Sequence, residues 1–224
     1  MDRIGKIIRE YIIQHKLETG MELPAERKLA EQLGVSRFTL REALRVAKTQ
    51  GLIEIVPGRK PRVAEPSGAA AANVISLSMQ RGGVDLMELT EARMGLECQI
   101  ARLAAVRAGP EELAALRDNL AQMEQQRDVA ACVELDMEFH RILLEASKNK
   151  AFSIMLNPLT QLLYESRTKT MQSDITHALV GHRMILAAME KGDAKAAVQA
   201  MEEHMLMTIK DLGHSLETKS LAEE

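Results

Sequence analysis

Tryptophan is absent from this 224-residue chain, and aromatic residues make up only 2% of it. An interior without large rings must be filled by Leu, Ala, Met and Ile. These residues favour helices and β-branched runs are few, so the composition points to a mainly α protein. Cysteine is scarce as well: Cys98 and Cys132 stand far apart and outside any CxxC pair. That excludes a disulfide framework and fits reduced thiols in a cytoplasmic protein. No apolar run approaches about 18 residues, which argues against a membrane-spanning helix. The N-terminal stretch MDRIGKIIREYIIQHKLETG spaces its apolar residues helically with charges between them. It has neither the apolar core nor the cleavage site of a signal peptide. No solenoid-type repeat is present.

What is present is unevenly spread. The net charge is −3, yet residues 1–66 hold 13 Lys+Arg against 9 Asp+Glu, a balance of +4. The remaining residues hold 16 basic and 23 acidic side chains, a balance of −7. A basic head on an acidic body implies two domains, of which only the head suits a polyanion. Apolar residues make up 46% of the chain, enough for real cores and too many for disorder.

Pro66, Ser67 and Gly68 mark the expected break. Before it, the pattern predicts helices near 2–17, 25–32 and 36–50, then a hairpin of LIEIV and PRVAE about a Pro-Gly turn. After it, helices are expected near 85–108, 110–127, 128–148, 151–171, 174–191 and 193–213. Short connections imply antiparallel neighbours in a bundle. The expected organisation is a winged helix-turn-helix over 1–66, a linker over 67–84 that could itself be helical, a helical domain over 85–213, and a polar, frayed tail over 214–224.

Within the head, LGVSRFTLREALRVAKTQG sets Arg37, Arg41 and Arg45 four apart, with Ser36 and Thr39 at the start of their helix. At 1.5 Å per residue the arginines form a stripe about 12 Å long. Leu40, Ala43, Leu44 and Ala47 form the opposite, core-facing side. Helix, tight turn, second helix and hairpin is the order of a winged helix-turn-helix, whose second helix lies in the major groove of DNA. Arginine suits that place because its planar fork pairs with guanine or phosphate, while Ser36 can cap the helix or bond a phosphate. Gly58, Arg59, Lys60 and Arg62 give the hairpin a basic tip suited to a neighbouring groove or the backbone. A merely solvated basic helix is the competing reading, weakened because turn, cap, apolar face and basic wing all fit together.

These residues carry a resemblance. LPAERKLAEQLGVSRFTLREAL followed by GLIEIVPGRKPRV is similar to the DNA-binding domain of the GntR family of bacterial repressors. The resemblance implies that Arg27, Arg37, Thr39, Arg41 and the wing glycine Gly58 contact operator DNA. The wing departs from the usual GRG-aromatic-Val pattern by reading GRKPRV, and Ala47 stands where Leu is usual.

Of the six histidines, His140 lies four residues after Asp136, so both face one way from one helix. His182 lies about 10 residues before the Gly192-Asp193 turn and His204 about 11 after it, which returns both to one height in an antiparallel pair. Three imidazoles and one carboxylate at one level would suit zinc, nickel or manganese rather than calcium or magnesium. Spacing alone leaves two readings open: metal ligands, or histidines satisfied within a core. His177 could point elsewhere, and His15 and His214 are expected at the surface.

The body also resembles the all-helical FCD effector domain of the FadR subgroup, in its metal-binding branch. That resemblance implies that Asp136, His140, His182 and His204 hold a divalent transition ion, zinc foremost. It further implies a small carboxylate or hydroxy-acid effector held over the metal, with Arg93 of TEARMGLE at the carboxylate-binding position. Arg167 of YESRTKT is a second candidate for the effector; a surface salt bridge is the alternative role for either arginine. The whole reads as a homodimeric, ligand-responsive regulator of a palindromic operator and not an enzyme. Two rivals remain at this stage: a metal-dependent hydrolase, and a DNA-binding protein whose metal is purely structural.

Overall fold

A computed structural model describes residues 3–65, 69–156, 159–173 and 175–222. The expected break at Pro66, Ser67 and Gly68 lies outside these residues. Two units emerge, Met1–Ile75 and Ser76–Glu224.

The first unit contains α1 (Arg3–Gln14), α2 (Glu26–Leu33), α3 (Arg37–Thr49) and a two-stranded antiparallel sheet, β1 (Ile53–Glu54) with β2 (Arg62–Val63). The strands are shorter than the LIEIV and PRVAE runs that signal them, with Ile53 opposite Val63 and Glu54 opposite Arg62. The core draws one stripe from each helix: Ile8 and Tyr11 from α1, Leu29 and Ala30 from α2, and Leu40, Ala43, Leu44 and Ala47 from α3, closed by Ile53 and Val63. Burying that stripe fixes which side of α3 is left to solvent. Ser36 caps α3, its Oγ accepting from the Thr39 backbone N–H at 3.0 Å.

The chain passes from one unit to the other within α4 (Ala69–Gly82), so the expected linker is helical over those residues. The second unit holds α5 (Leu86–Arg107), α6 (Pro110–Gln125), α7 (Val129–Ala146), α8 (Lys150–Leu156), α9 (Thr160–Ser173), α10 (Ile175–Glu190) and α11 (Ala194–Ala222). Their starts follow local chemistry. Asp85 and Glu88 exchange capping bonds at 2.8 and 3.1 Å. Asp128 accepts from the Ala131 N–H at 2.9 Å, and Pro110 occupies the first turn of α6.

Two expectations change. The single helix foreseen over 151–171 is two, α8 and α9; Pro158 falls between them in sequence, and a proline brings no N–H to a helical ladder. The tail foreseen as frayed after 213 is helical, since α11 continues to Ala222. In the bundle, α5, α7, α10 and α11 pack on one another and bury Ile100, Phe139, Leu143, Ile185, Met201 and Met205.

Candidate metal centre and nucleic-acid interface

Asp136 and His140 face the bundle interior from α7 because both sit on the stripe that buries Cys132, Val133, Phe139 and Leu143. His182 comes from α10 and His204 from α11. Asp193 accepts from the backbone N–H groups of Lys195 and Ala196, both at 3.0 Å, and so starts α11 directly after the turn. The structure brings all four predicted residues together: one ligand atom from each lies within 4.8 Å of the others, and all four side chains are buried. His182 Nε2 is 3.2 Å from Asp136 Oδ1, yet both nitrogens of His182 lack a hydrogen bond, as does His204 Nδ1. Orphaned buried nitrogens are expected where several ligand atoms converge on one shared point. Three imidazoles and a carboxylate with such orphaned atoms fit a divalent transition ion.

Electrostatics favour the ligating forms. Burial, the largest influence, pushes His140 down to about 4, although Glu97 opposes it. His204 is likewise held well below the usual histidine range by burial and then by His182 and His140. Neutral imidazole is the form that binds metal. Burial, the largest single influence, disfavours charge on Asp136, but Arg167, His182 and His140 together overcome it and hold the carboxyl well below its usual range.

Both arginine candidates are buried and neither is a surface salt bridge. Arg167 donates through Nε to Asp136 Oδ2. Arg93 donates through Nε to Glu97 Oε1 at 2.9 Å, and its Nη2 lies 3.1 and 3.4 Å from the two nitrogens of His140. A cavity of about 300 Å³ adjoins this network, bordered by His140, Arg167, Glu97, Met137, Leu156 and Leu163 among others. Arg167 faces it directly; Arg93 is not part of its lining.

Two residues that sequence reasoning missed complete the centre. Glu97, buried on α5, sits between Arg93 and His140, with Oε2 3.1 Å from His140 Nδ1. Its position four residues after Arg93 was the available signal. Gly181 passes so close to His204 that a Cβ there would lie 2.4 Å from Nδ1. A glycine inside a helical pattern is itself a sign of close approach. Phe139 adds a stacking surface, its ring 3.9 Å from that of His182 and tilted by only 6°. His177 does turn elsewhere and pairs with Asp211 at 2.9 Å.

On the other unit, Arg37, Arg41 and Arg45 are all exposed: Arg41 and Arg45 turn away from the buried stripe of α3, and Arg37 stands at its edge in the first turn. Arg41 donates to Glu26 at 2.9 Å and Arg45 to Glu42 at 3.0 Å. Arg27 stands 3.9 Å from Glu31, also in solvent. Such exposed pairs contribute about 0–1 kcal/mol and are readily exchanged for phosphate. Ser36 and Thr39 hydroxyls lie 2.9 Å apart at the helix start. In the wing, the Arg59 N–H bonds Val56 O at 3.1 Å across Pro57 and Gly58, whose φ of +75° suits glycine in a type II turn. Lys60 and Arg62 are tied back to Glu22 at 3.2 and 3.5 Å. A groove bordered by Arg41, Arg45, Lys48, Arg59 and Lys60 runs between α3 and the wing. Its basic walls match a polyanion.

Each part of the chain matches a known protein family. Residues 1–63 match the family described as bacterial regulatory proteins, gntR family, and residues 88–206 match the FCD domain. The Uxu operon transcriptional regulator of Escherichia coli (strain K12) is 32% identical over 218 residues, covering 90% of this chain and 82% of that one. The HTH-type transcriptional repressor NanR of Enterobacter sp. (strain 638) is 29% identical, covering 91% and 82%. Among solved structures, a Streptococcus agalactiae GntR protein superposes with a TM-score of 0.72 at 27% identity, covering 93% of this chain and 98% of the other. No helix among the described residues is long and apolar enough to cross a membrane.

Proposed function

This chain belongs to the GntR family of bacterial regulatory proteins with an FCD domain, a transcription regulator and not an enzyme, and on that premise we propose that a small carboxylate held at the Asp136–His140–His182–His204 centre controls its grip on operator DNA. The observation that carries the reading is one of adjacency. Four buried ligand-type side chains gather within 4.8 Å, and one of them, His140, borders a cavity of about 300 Å³ that Arg167 also faces. A centre serving only to brace the bundle would have no need of such a cavity, which favours sensing over a purely structural metal.

A divalent transition ion, zinc foremost with nickel or manganese as alternatives, supplies an electrophilic position for an effector oxygen when bound. The protein's own residues do the rest. Arg167 pairs with Asp136 and offers its remaining guanidinium N–H groups to an acid in the cavity. Arg93 and Glu97 brace His140 from behind. Met137, Leu156 and Leu163 give the cavity apolar sides that suit a short carbon chain. Arg27, Ser36, Arg37, Thr39, Arg41, Arg45, Gly58 and Arg59 form the DNA-facing surface, with α3 in the major groove and the wing alongside. Two copies, related by a two-fold axis, present two such surfaces to a palindromic operator.

An acid shifts operator affinity only through unequal binding to two arrangements of the protein. The experiment measures operator affinity of metal-loaded protein across a panel of small carboxylates and hydroxy-acids, alongside elemental analysis of the purified protein. An acid that binds and changes operator affinity at least several-fold, and loses that effect on chelation, supports the reading. Acids that bind without altering operator affinity overturn it.

A further inference from the structure

Phe38 is the most exposed large hydrophobic side chain among the described residues, at 76%, and it belongs to neither the core nor the fringe of the first unit. It is the second residue of α3, directly between Arg37 and Thr39. At about 100° per residue, the buried residues Leu40, Ala43, Leu44 and Ala47 centre roughly 190° away from it. Phe38 therefore points almost opposite the core. Arg45 and Arg41 fall within about 60° of the same direction. A ring left in water at the leading end of a helix, on the face that carries the basic side chains, has no role in folding this unit.

We propose that Phe38 is a specificity-determining residue that reads the C5-methyl group of a thymine in the major groove. The major groove presents thymine as a methyl group beside an acceptor, and an aromatic edge is an apolar match for it. The arginines on either side bind phosphate or guanine and hold the helix at a depth where the ring reaches base edges. Hydrogen-bonding residues read the other bases, whereas an apolar ring discriminates by how much methyl surface it removes from water. The inference rests on α3 being the helix that enters the groove.

The test begins with selection of preferred sites from randomised duplexes by the full-length protein. Each thymine of the best site is then replaced singly by deoxyuridine, which deletes only the methyl group. Binding is measured at fixed salt for the wild type, Phe38→Ala and Arg41→Ala. The wild type loses about four-fold at one contacted thymine, the worth of one buried methyl. Phe38→Ala binds the thymine and uracil duplexes equally, while Arg41→Ala binds more weakly throughout but keeps the uracil penalty. An unchanged uracil penalty in Phe38→Ala, the absence of any methyl-sensitive thymine, or an equal loss on all duplexes overturns the inference. An Arg41→Ala protein with undiminished affinity instead removes α3 from the groove and fails the premise. Because Phe38 is exposed, its replacement leaves the thermal midpoint unchanged, and that measurement guards against misfolding.

Discussion

Gly181 and His204 lie so close that a Cβ on the first would fall 2.4 Å from Nδ1 and 2.8 Å from both Cβ and Cγ of the second. The contact joins α10 to α11 at the level of the four-residue centre and sets the imidazole of His204 against a bare helix backbone. It also gives a way to move a proposed ligand without deleting it.

Gly181→Ala is expected to displace the His204 ring and lower metal affinity at least ten-fold. The alanine favours the helix by about 0.5–1 kcal/mol but is overpacked at a typical cost of about 1–3 kcal/mol. The protein should therefore remain folded by circular dichroism. Competition with a chromophoric chelator reads the affinity; a variant as tight as wild type would remove His204 from the ligand set.

His204→Ala and Asp136→Asn should both reduce bound metal, measured by elemental analysis after gel filtration. They differ in stability. Asp136 is the buried partner of the Arg167 guanidinium, and neutralising it leaves that cation without its counter-charge, at a cost of about 3–5 kcal/mol. His204→Ala strands no charge, so its metal-free form should unfold at a clearly higher denaturant concentration than that of Asp136→Asn. Equal midpoints would mean that Arg167 does not depend on Asp136.

Arg93 and Glu97 form a second buried pair, 2.9 Å apart. Arg93→Met should lower stability by about 3–5 kcal/mol because it strands the carboxylate. Adding Glu97→Gln should recover part of the loss. Urea titration of the two variants in the presence of chelator checks this; no recovery in the double variant would show that Glu97 is not the group left stranded.

Arg41→Ala should weaken operator binding by about 1–3 kcal/mol if the side chain reads a base, and by less, with a shallower salt dependence, if it touches phosphate only. Its exposed pair with Glu26 contributes about 0–1 kcal/mol, so the melting temperature should hardly move. Binding isotherms at several salt concentrations separate the two cases, and unchanged affinity would take Arg41 off the interface.

Much of this was readable along the chain because it is local. Ser36 as a cap follows from its place before the helix, and the buried stripe Leu40, Ala43, Leu44 and Ala47 with the arginines left outside it follows from a repeat of 3.6 residues. Asp136 and His140 share a face for the same reason. His182 and His204 could be matched in height because rise per residue is constant on both sides of one turn. Apolar spacing continues through 151–171, so the division into α8 and α9 is not legible in it; Pro158 is the local sign. Glu97 was missed because an i,i+4 pair with Arg93 looks the same in sequence whether it is solvated or buried.

Sequence by itself determined the mainly helical character, the face each helix hides and the basic surface at the head, since these depend on neighbours a few residues apart. Only the tertiary structure decided that Arg93 is locked onto Glu97 and bordered by His140, that Arg167 rather than Arg93 faces the cavity, and that Gly181 must lack a side chain. Those facts depend on how closely separate helices approach and on how far water is excluded between them. Spacing along one chain does not encode either quantity.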